Sequence, residues 1–157
     1  MVMLVVIALA AACGASSAEI KTAKTAQYNA PSETLYQIAL QTASEDYKIG
    51  DTNPSEGTFM TIEQWYSPEG GRQSSGAGDF VQLDDRSILL LLIVEIDGMD
   101  MGKKAIVVTP KVFQHLSGSP KPRELSPDDP NVPGWVHGRV DDLALAIYNA
   151  AKQYASP

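Results

Sequence analysis

The clearest periodic pattern in the chain is a stripe of apolar residues that recur at the spacing of an α-helix. The stripe runs from Val136 to Tyr154 and predicts a helix of about five turns with a single apolar face. Its members are Val136, Val140, Leu143, Ile147, Ala151 and Tyr154. We expect the helix to pack on a core through this stripe.

A second helical pattern begins after Pro31. Ser32 suits a helix cap and Glu33 suits a first turn, so the pattern predicts a helix that ends near Asp46 or Tyr47. The residues at helical spacing are Leu35, Ile38, Ala39, Thr42 and Ala43. A short strand is expected to follow at residues 47–50.

Between the two helices, the pattern becomes that of strands. Residues 57–66 are rich in β-branched and aromatic side chains and predict one strand, whereas residues 88–96 are apolar on both alternating faces and predict a central strand. Further predicted features are a short strand at 80–83, a hairpin loop at 97–102 and a strand at 104–109 that pairs back.

The segment from Ser117 to Gly134 contains five of the ten prolines in the chain. Proline lacks the backbone N–H that a strand ladder needs. The segment is therefore predicted to be a long surface loop without a regular ladder.

The order of elements predicts a single α+β domain over residues 31–157, with an antiparallel sheet of about four to five strands and two helices, N- and C-terminal, packed on one face. The central strand would place Ile88, Leu90, Leu92, Val94 and Ile96 on one face and Leu89, Leu91 and Ile93 on the other. Something must then shield the second apolar face from water. The alternatives are sheet curvature with Trp65 and Tyr66 folded over the face, a partner, or a second copy of the domain.

Residues 1–12 carry no charged side chain and end in small residues just before Cys13. The run is shorter than the roughly 20 residues of a membrane-spanning helix and fits the apolar region of a secretory signal, although no Lys or Arg precedes it. The sequence Leu9-Ala10-Ala11-Ala12-Cys13-Gly14 resembles the lipobox of bacterial lipoproteins, with Ala10 where a branched residue is usual.

This resemblance implies that residues 1–12 are a signal peptide and that Cys13 is the lipid attachment site and the mature N-terminus, acylated with palmitate-type chains that anchor the protein in a membrane. Gly14 in place of Asp implies the periplasmic face of the outer membrane. Residues 13–30, poor in large apolar groups, are expected to form the lipidated Cys and a flexible tether. The alternative is a buried N-terminal strand with a core Cys.

Composition narrows the class of protein. The 157 residues carry 12 Lys and Arg against 19 Asp and Glu, a net charge of −7, which argues against nucleic-acid binding. One Cys excludes a disulfide within the chain, and with two His it leaves too few ligands for a Cys/His zinc site.

Candidate chemistry centres on His115 and His137, which lie on either side of the proline-rich segment. The nearby carboxylates are Asp128, Asp129, Asp141 and Asp142. The spacing matches no metal-binding or hydrolase motif, and the glycine-rich stretches match no phosphate loop. We therefore expect no catalytic, cofactor-binding or metal-ligating residues.

Residues 35–65 resemble the small helix-and-sheet modules of periplasmic lipoproteins, including accessory lipoproteins of the outer-membrane barrel-assembly machine. The features that carry the resemblance are a helix, a Tyr-Lys-Ile strand, a polar turn and a strand after Glu-Gly. The resemblance implies a fold type only. The expected function is a non-catalytic envelope lipoprotein that binds an envelope protein partner or self-associates. The alternatives are an envelope hydrolase or metal-dependent enzyme that uses His115 and His137, and a small-ligand module for peptidoglycan or lipid.

Overall fold

A computed structural model describes residues 15–73, 83–98 and 102–156. The helices are α1 Ser17–Thr25, α2 Ser32–Asp46 and α3 Gly134–Ala151, and a 3-10 turn, Lys152–Tyr154, extends the last. The strands are β1 Ile49–Asn53, β2 Thr58–Thr61, β3 Gln64–Tyr66, β4 Ile88–Gly98, β5 Lys104–Gln114 and β6 Arg123–Leu125.

The fold is α+β, as predicted, with an antiparallel sheet of six strands and three helices among the described residues. The prediction of four to five strands and two helices is therefore wrong in its counts. Two strands replace the single one predicted at 57–66, β6 was not predicted, and α1 lies in the predicted tether.

The two predicted helices are confirmed as α2 and α3. Ser32 is the first helical residue of α2 rather than its cap; Pro31 takes the cap position, where its side chain forms no capping hydrogen bond. In α3 the apolar stripe is buried from Val136 to Ala151, whereas Tyr154 belongs to the 3-10 turn and is half-buried.

β4 is the central strand, as predicted, and the sheet order is β1-β2-β4-β5-β6, with β3 also paired to β4. The strand predicted at 57–66 is interrupted at Ile62 and Glu63, so that β2 faces residues 93–95 of β4 and β3 faces residues 88–90. At the interruption the Ile62 N–H donates to the Lys48 carbonyl oxygen at 2.8 Å, and the Ile62 side chain is 51% exposed. The strand predicted at 80–83 lies outside the described residues except for Leu83, which is in no strand.

β4 and β5 form the predicted hairpin, paired along all 11 residues of each strand, and part of its loop lies outside the described residues. β5 continues through Pro110 to Gln114, beyond the predicted end at Thr109. Lys104 exchanges backbone hydrogen bonds with Tyr28 on the side of β5 away from β4. Pro110 lies an even number of residues further along β5, so its backbone nitrogen points to the same side. The missing N–H of Pro110 therefore faces the outer edge of the strand, where no ladder bond is lost.

The proline-rich segment contains a strand, so the prediction that no ladder runs there is wrong. β6 pairs its three residues with Val112, Phe113 and Gln114 at the edge of the sheet. The strand fits between Pro122 and Pro127, because neither proline is required to donate to the ladder.

The helices pack on one face of the sheet. Ile88, Leu92 and Val94 of β4 share a buried cluster with residues of α2 and α3, whereas Leu89, Leu91 and Ile93 are not in it. The two-face reading of β4 is confirmed. One alternative placed Trp65 and Tyr66 over the second face, but Tyr66 is 2% exposed and lies in the helix-side cluster, because successive residues of β3 point to opposite faces.

The prediction of a flexible tether is wrong for residues 15–30. Ser16 caps α1 through a capping box with Glu19. The hydrogen bonds that the Ser16 side chain and backbone donate to the Glu19 carboxylate lower the pKa of that carboxyl. Helix α1 packs against α3, with Ala23 only 4% exposed. The folded unit therefore includes residues 15–30, and the boundary predicted at residue 31 is too late.

Tyr28 joins this N-terminal segment to two other parts of the chain. It forms antiparallel bridges to Lys104 at the start of β5 and to Ala155 after the 3-10 turn. The side chain is 1% exposed, and its burial, with a smaller effect of Tyr148, raises the pKa of the Tyr28 hydroxyl to about 12.

Candidate functional site

Cys13, the predicted lipid attachment site, lies outside the described residues, and so does the predicted signal peptide at 1–12. The described chain begins at Ala15, and the Ser16 side chain accepts a hydrogen bond from the backbone N–H of Glu19. Only two residues of the sequence, Gly14 and Ala15, lie between Cys13 and the cap residue of α1, Ser16.

The two histidines have separate surroundings. His115 lies at the end of β5, where its ring meets the Trp65 ring edge-on, with 6.4 Å between centroids. Its backbone N–H donates to the Ser87 carbonyl oxygen at 2.8 Å. His137 is exposed on α3.

The carboxylates considered with the histidines have other partners or face solvent. Asp141 forms an ion pair with Lys24 of α1 at 2.7 Å. Asp129 accepts hydrogen bonds from the backbone N–H and the side chain of Asn131 and from Arg123, and these contacts, led by the backbone bond, lower the pKa of its carboxyl. Asp128 and Asp142 are exposed.

Metal ligation can be tested over the described ranges 15–73, 83–98 and 102–156. Within them no group of three or more His, Cys, Asp or Glu side chains is placed to hold a metal ion. The arrangement of His115, His137 and the four aspartates thus offers structural contacts and solvated charges.

An aromatic and cationic cluster, which the sequence patterns did not indicate, holds the turn after β3 against α3. The Arg139 guanidinium lies 4.5 Å from the centroid of the Tyr66 ring and donates to the Gly70 carbonyl oxygen at 3.3 Å. The Trp135 indole N–H donates to the Pro68 carbonyl oxygen at 2.9 Å. These contacts use the single side-chain donor of Trp135 and one of the five N–H donors of Arg139 to hold the turn on α3, so we assign the cluster a structural role.

A cleft of about 230 Å³ lies beside this cluster, at the end of α2. Tyr47 lines it, and burial raises the pKa of the Tyr47 hydroxyl, with Arg139 opposing the shift. Arg72 lines the cleft too and donates to the Asp46 carbonyl oxygen at 3.1 Å. Three acidic residues, Glu45, Asp46 and Glu63, and two basic residues, Lys48 and Arg72, line the cleft, so both signs of charge are present.

The second face of the sheet lies outside the buried cluster that the helices share with β4; we call it the open face. Along β4 it carries Leu89, Leu91, Ile93, Glu95 and Asp97, and along β5 it carries Ala105, Val107, Thr109, Lys111 and Phe113. Val107 is 41% exposed, one of two large hydrophobic side chains among the described residues that exceed a third exposure, and the other is Ile62 at 51%.

The exposed residues of the open face are Val107 and four polar ones, Glu95, Asp97, Thr109 and Lys111. Lys111 is exposed and its ammonium lies 5.5 Å from the centroid of the Phe113 ring. Glu95 is exposed and cross-strand from Val107. Leu91, at 6% exposure, lies between these charges on the same face. A face that combines the exposed Val107 and half-buried apolar side chains with charges of both signs is suited to protein–protein contact.

No family model matches the chain, and no curated protein matches it. None of the helices in the described part of the chain combines the length and the apolar character needed to span a membrane. These comparisons therefore assign the chain to no family.

Proposed function

We propose that this protein is a cell-envelope lipoprotein, anchored through Cys13 at the periplasmic face of the outer membrane, whose domain binds a protein partner through the open face. The observation that carries the proposal is the apolar run that ends at the single Cys, followed by a folded domain whose second sheet face lies outside the buried cluster that the helices share with β4. The activity is binding rather than catalysis.

The relation between anchor and domain supports this proposal. Because α1 begins at Ser17, lipid on Cys13 holds the domain close to the bilayer with no long spacer. Helix α1 packs on α3, which covers one side of the sheet, whereas the open face is on the other side. The anchor therefore leaves the open face accessible to a partner.

Anchoring is tested by metabolic labelling with palmitate and by partition into detergent. The wild-type chain should incorporate label and partition into the detergent phase, and Cys13→Ser should do neither. Ser17→Ala is the matched control, since Ser17 is exposed and does not cap α1. Label that persists in Cys13→Ser would exclude lipid attachment at this residue.

Binding through the open face is tested by crosslinking in intact cells followed by purification from membranes. Val107→Glu should reduce the crosslinked species at least about tenfold, because it puts a charge into an apolar contact. Gln37→Glu adds the same charge on the exposed side of α2 and should leave the species unchanged. Equal yields of the crosslinked species from both variants would mean that the partner does not bind through the open face.

A further inference from the structure

Lysine residues are concentrated in three segments of the chain that meet around Tyr28. Residues 15–30, 102–108 and 143–156 carry five of the 12 basic residues of the chain and one of its 19 acidic residues. The lysines are Lys21, Lys24, Lys103, Lys104 and Lys152, and the acid is Glu19. A chain with a net charge of −7 therefore has one part in which positive charge is in excess.

Contacts between these segments bring the lysines to the helix side of the sheet. Tyr28 forms bridges to Lys104 and to Ala155. Glu19 and Lys152 line the same groove between α1 and α3. Lys104 lies an odd number of residues from the open-face positions of β5, so its side chain points to the other face of the sheet. We call the five lysines together the lysine surface.

Most of the ammonium groups of the lysine surface have no acidic partner within the described part of the chain. Lys24 is paired with Asp141 at 2.7 Å, whereas none of the other four lysines forms an ion pair there. The exposed members of the surface are Lys21, Lys103 and Lys152. With Glu19, Asp141 and the adjacent, exposed Asp142 counted against the five lysines, the surface still has an excess of positive charge.

The lysine surface includes the part of the described chain that is nearest in sequence to the lipid attachment site. Three residue steps lead from Cys13 to Ser16, the cap of α1, and they span at most about 11 Å when fully extended. The Debye length at physiological ionic strength is about 8 Å. Lipid on Cys13 would therefore hold the start of α1 close to the distance over which an anionic bilayer attracts lysine side chains.

We propose that the lysine surface binds the anionic phospholipid headgroups of the membrane in which Cys13 is anchored. Helix α1, whose nine residues span about 13 Å, lies along the bilayer. The helix side of the domain then faces the membrane, and the open face points away from it. This interaction depends on the proposed function for the lipid anchor and adds the surface that orients the domain.

Charge complementarity favours an anionic membrane as the occupant of this surface. Each lysine near an anionic bilayer strengthens binding by roughly fivefold. The exposed apolar residues beside the lysines on this part of the chain are the small Ala15 and Ala18, so attraction between charges dominates over insertion. The same headgroups repel the acidic remainder of the chain, including Glu95 and Asp97 of the open face, and this repulsion selects the orientation with α1 toward the membrane.

The test is the reactivity of individual lysines in the full chain, bound to preformed vesicles and treated with a water-soluble acetylating reagent. Vesicles of equal parts phosphatidylcholine and phosphatidylglycerol are compared with vesicles of phosphatidylcholine alone, and peptide mass spectrometry gives the acetylation rate at each position. Lys21, Lys103 and Lys152 should react at least about threefold more slowly on the anionic vesicles. Lys48 and Lys121, which are exposed elsewhere on the domain, should react equally on both. In about 1 M salt, where the Debye length is about 3 Å, the difference should disappear.

A double charge reversal tests whether the lysines act together. Lys21→Glu combined with Lys152→Glu should abolish the protection of Lys103 on anionic vesicles, although Lys103 itself is unchanged. Lys48→Glu combined with Lys121→Glu is the matched control, since it makes the same change of charge away from the surface and should leave Lys103 protected. Circular dichroism of each variant reports whether its fold is intact.

Three results would overturn the lysine surface. The first is equal reactivity of Lys21, Lys103 and Lys152 on the two kinds of vesicle. The second is protection of Lys48 and Lys121 to the same extent. The third is a folded double variant of Lys21 and Lys152 in which Lys103 stays protected on anionic vesicles.

Failure of the lysine surface and failure of the proposed function give different results. A chain that carries palmitate, but whose lysines react equally on both kinds of vesicle, would refute the lysine surface and keep the lipid anchor. Protection of the three lysines on anionic vesicles in a chain without palmitate would refute the lipid anchor and keep the lysine surface.

Discussion

Lys24 and Asp141 form an ion pair of 2.7 Å between α1 and α3, across 117 positions of the chain. The Lys24 side chain is 49% exposed, so solvent screens the pair and its contribution to stability is at most about 1 kcal/mol. The ion pair is informative about geometry, because it forms only when α1 lies at one position on α3. Most of the stability of this contact must come from buried atoms beside it.

Ala23→Asp tests whether α1 is a packed element. Ala23 is 4% exposed, so a carboxylate there would be buried without a partner, and we expect the free energy of unfolding to fall by about 2 kcal/mol or more. Ala18→Asp, at an exposed position of the same helix, should change it by about 0.5 kcal/mol or less. Chemical denaturation measures both free energies. Equal midpoints for the two variants would mean that α1 does not pack on the domain and that this segment is a flexible tether.

The buried stripe of α3 gives a second contrast. Leu143→Ala and Ile147→Ala should each destabilise the protein by about 2–5 kcal/mol, because the two side chains are 4% and 1% exposed. Gln153→Ala, which removes an exposed side chain of the 3-10 turn, should cost about 0.5 kcal/mol or less. Denaturant midpoints that coincide for all three variants would mean that α3 does not pack through this stripe.

Gly70 tests the contact between the turn after β3 and α3. Its φ is +93°, and a Cβ there would lie 3.0 Å from the Trp135 ring, so Gly70→Ala should destabilise the protein by about 1–3 kcal/mol and shift the Trp135 fluorescence. Gly71→Ala is the control, since its added Cβ meets only the Ser67 Oγ at 3.4 Å. If Gly70→Ala changed neither the stability nor the fluorescence, the contact between this turn and Trp135 would be excluded.

Tyr28 predicts a loss of stability at alkaline pH. Because burial raises its pKa from 10.0 to about 12, the stabilisation is fully present below pH 10 and is lost as the pH rises through 12. Tyr28→Phe removes this titration, so the free energy of unfolding should fall less steeply between pH 10 and pH 12 than in wild type. Parallel slopes in the two proteins would show that the Tyr28 hydroxyl is not buried.

Metal content tests the enzyme alternative that the histidines raised. We expect purified protein to carry no stoichiometric zinc or calcium by elemental analysis, because no three His, Cys, Asp or Glu side chains of the described residues lie together in a way that could hold a metal ion. A tightly held metal that is lost in His115→Ala or His137→Ala would support a metal-dependent enzyme. Lys121→Ala, an exposed change in the same region, is the control.

The long periodic elements could be predicted from the sequence. Hydrophobic spacing located α2, β4 and α3, because each buries a regular set of side chains. The existence of a second apolar face on β4 also followed from its alternation. These features depend on local patterns within a single element.

Other features depended on distant contacts and were missed. Helix α1 has little apolar surface, and its packing depends on α3; the only local signal was the capping box of Ser16 and Glu19, which the composition of the segment obscured. The break at Ile62 and the pairing of β6 with β5 depend on tertiary register. Cys13 and the function assigned to it stay predictions, since they lie outside the described residues.

The two-sided pairing of Tyr28 has a consequence for the order of folding during synthesis. Its N–H and carbonyl bond to Lys104, and its neighbours Gln27 and Asn29 bond to residues 156 and 154. A nascent chain can close the β4–β5 hairpin early, but it cannot complete the cover over Tyr28 until residues 154–156 have left the ribosome. A chain interrupted before Tyr154 would leave Tyr28 accessible on that side, where proteases and chaperones can recognise an unfinished molecule.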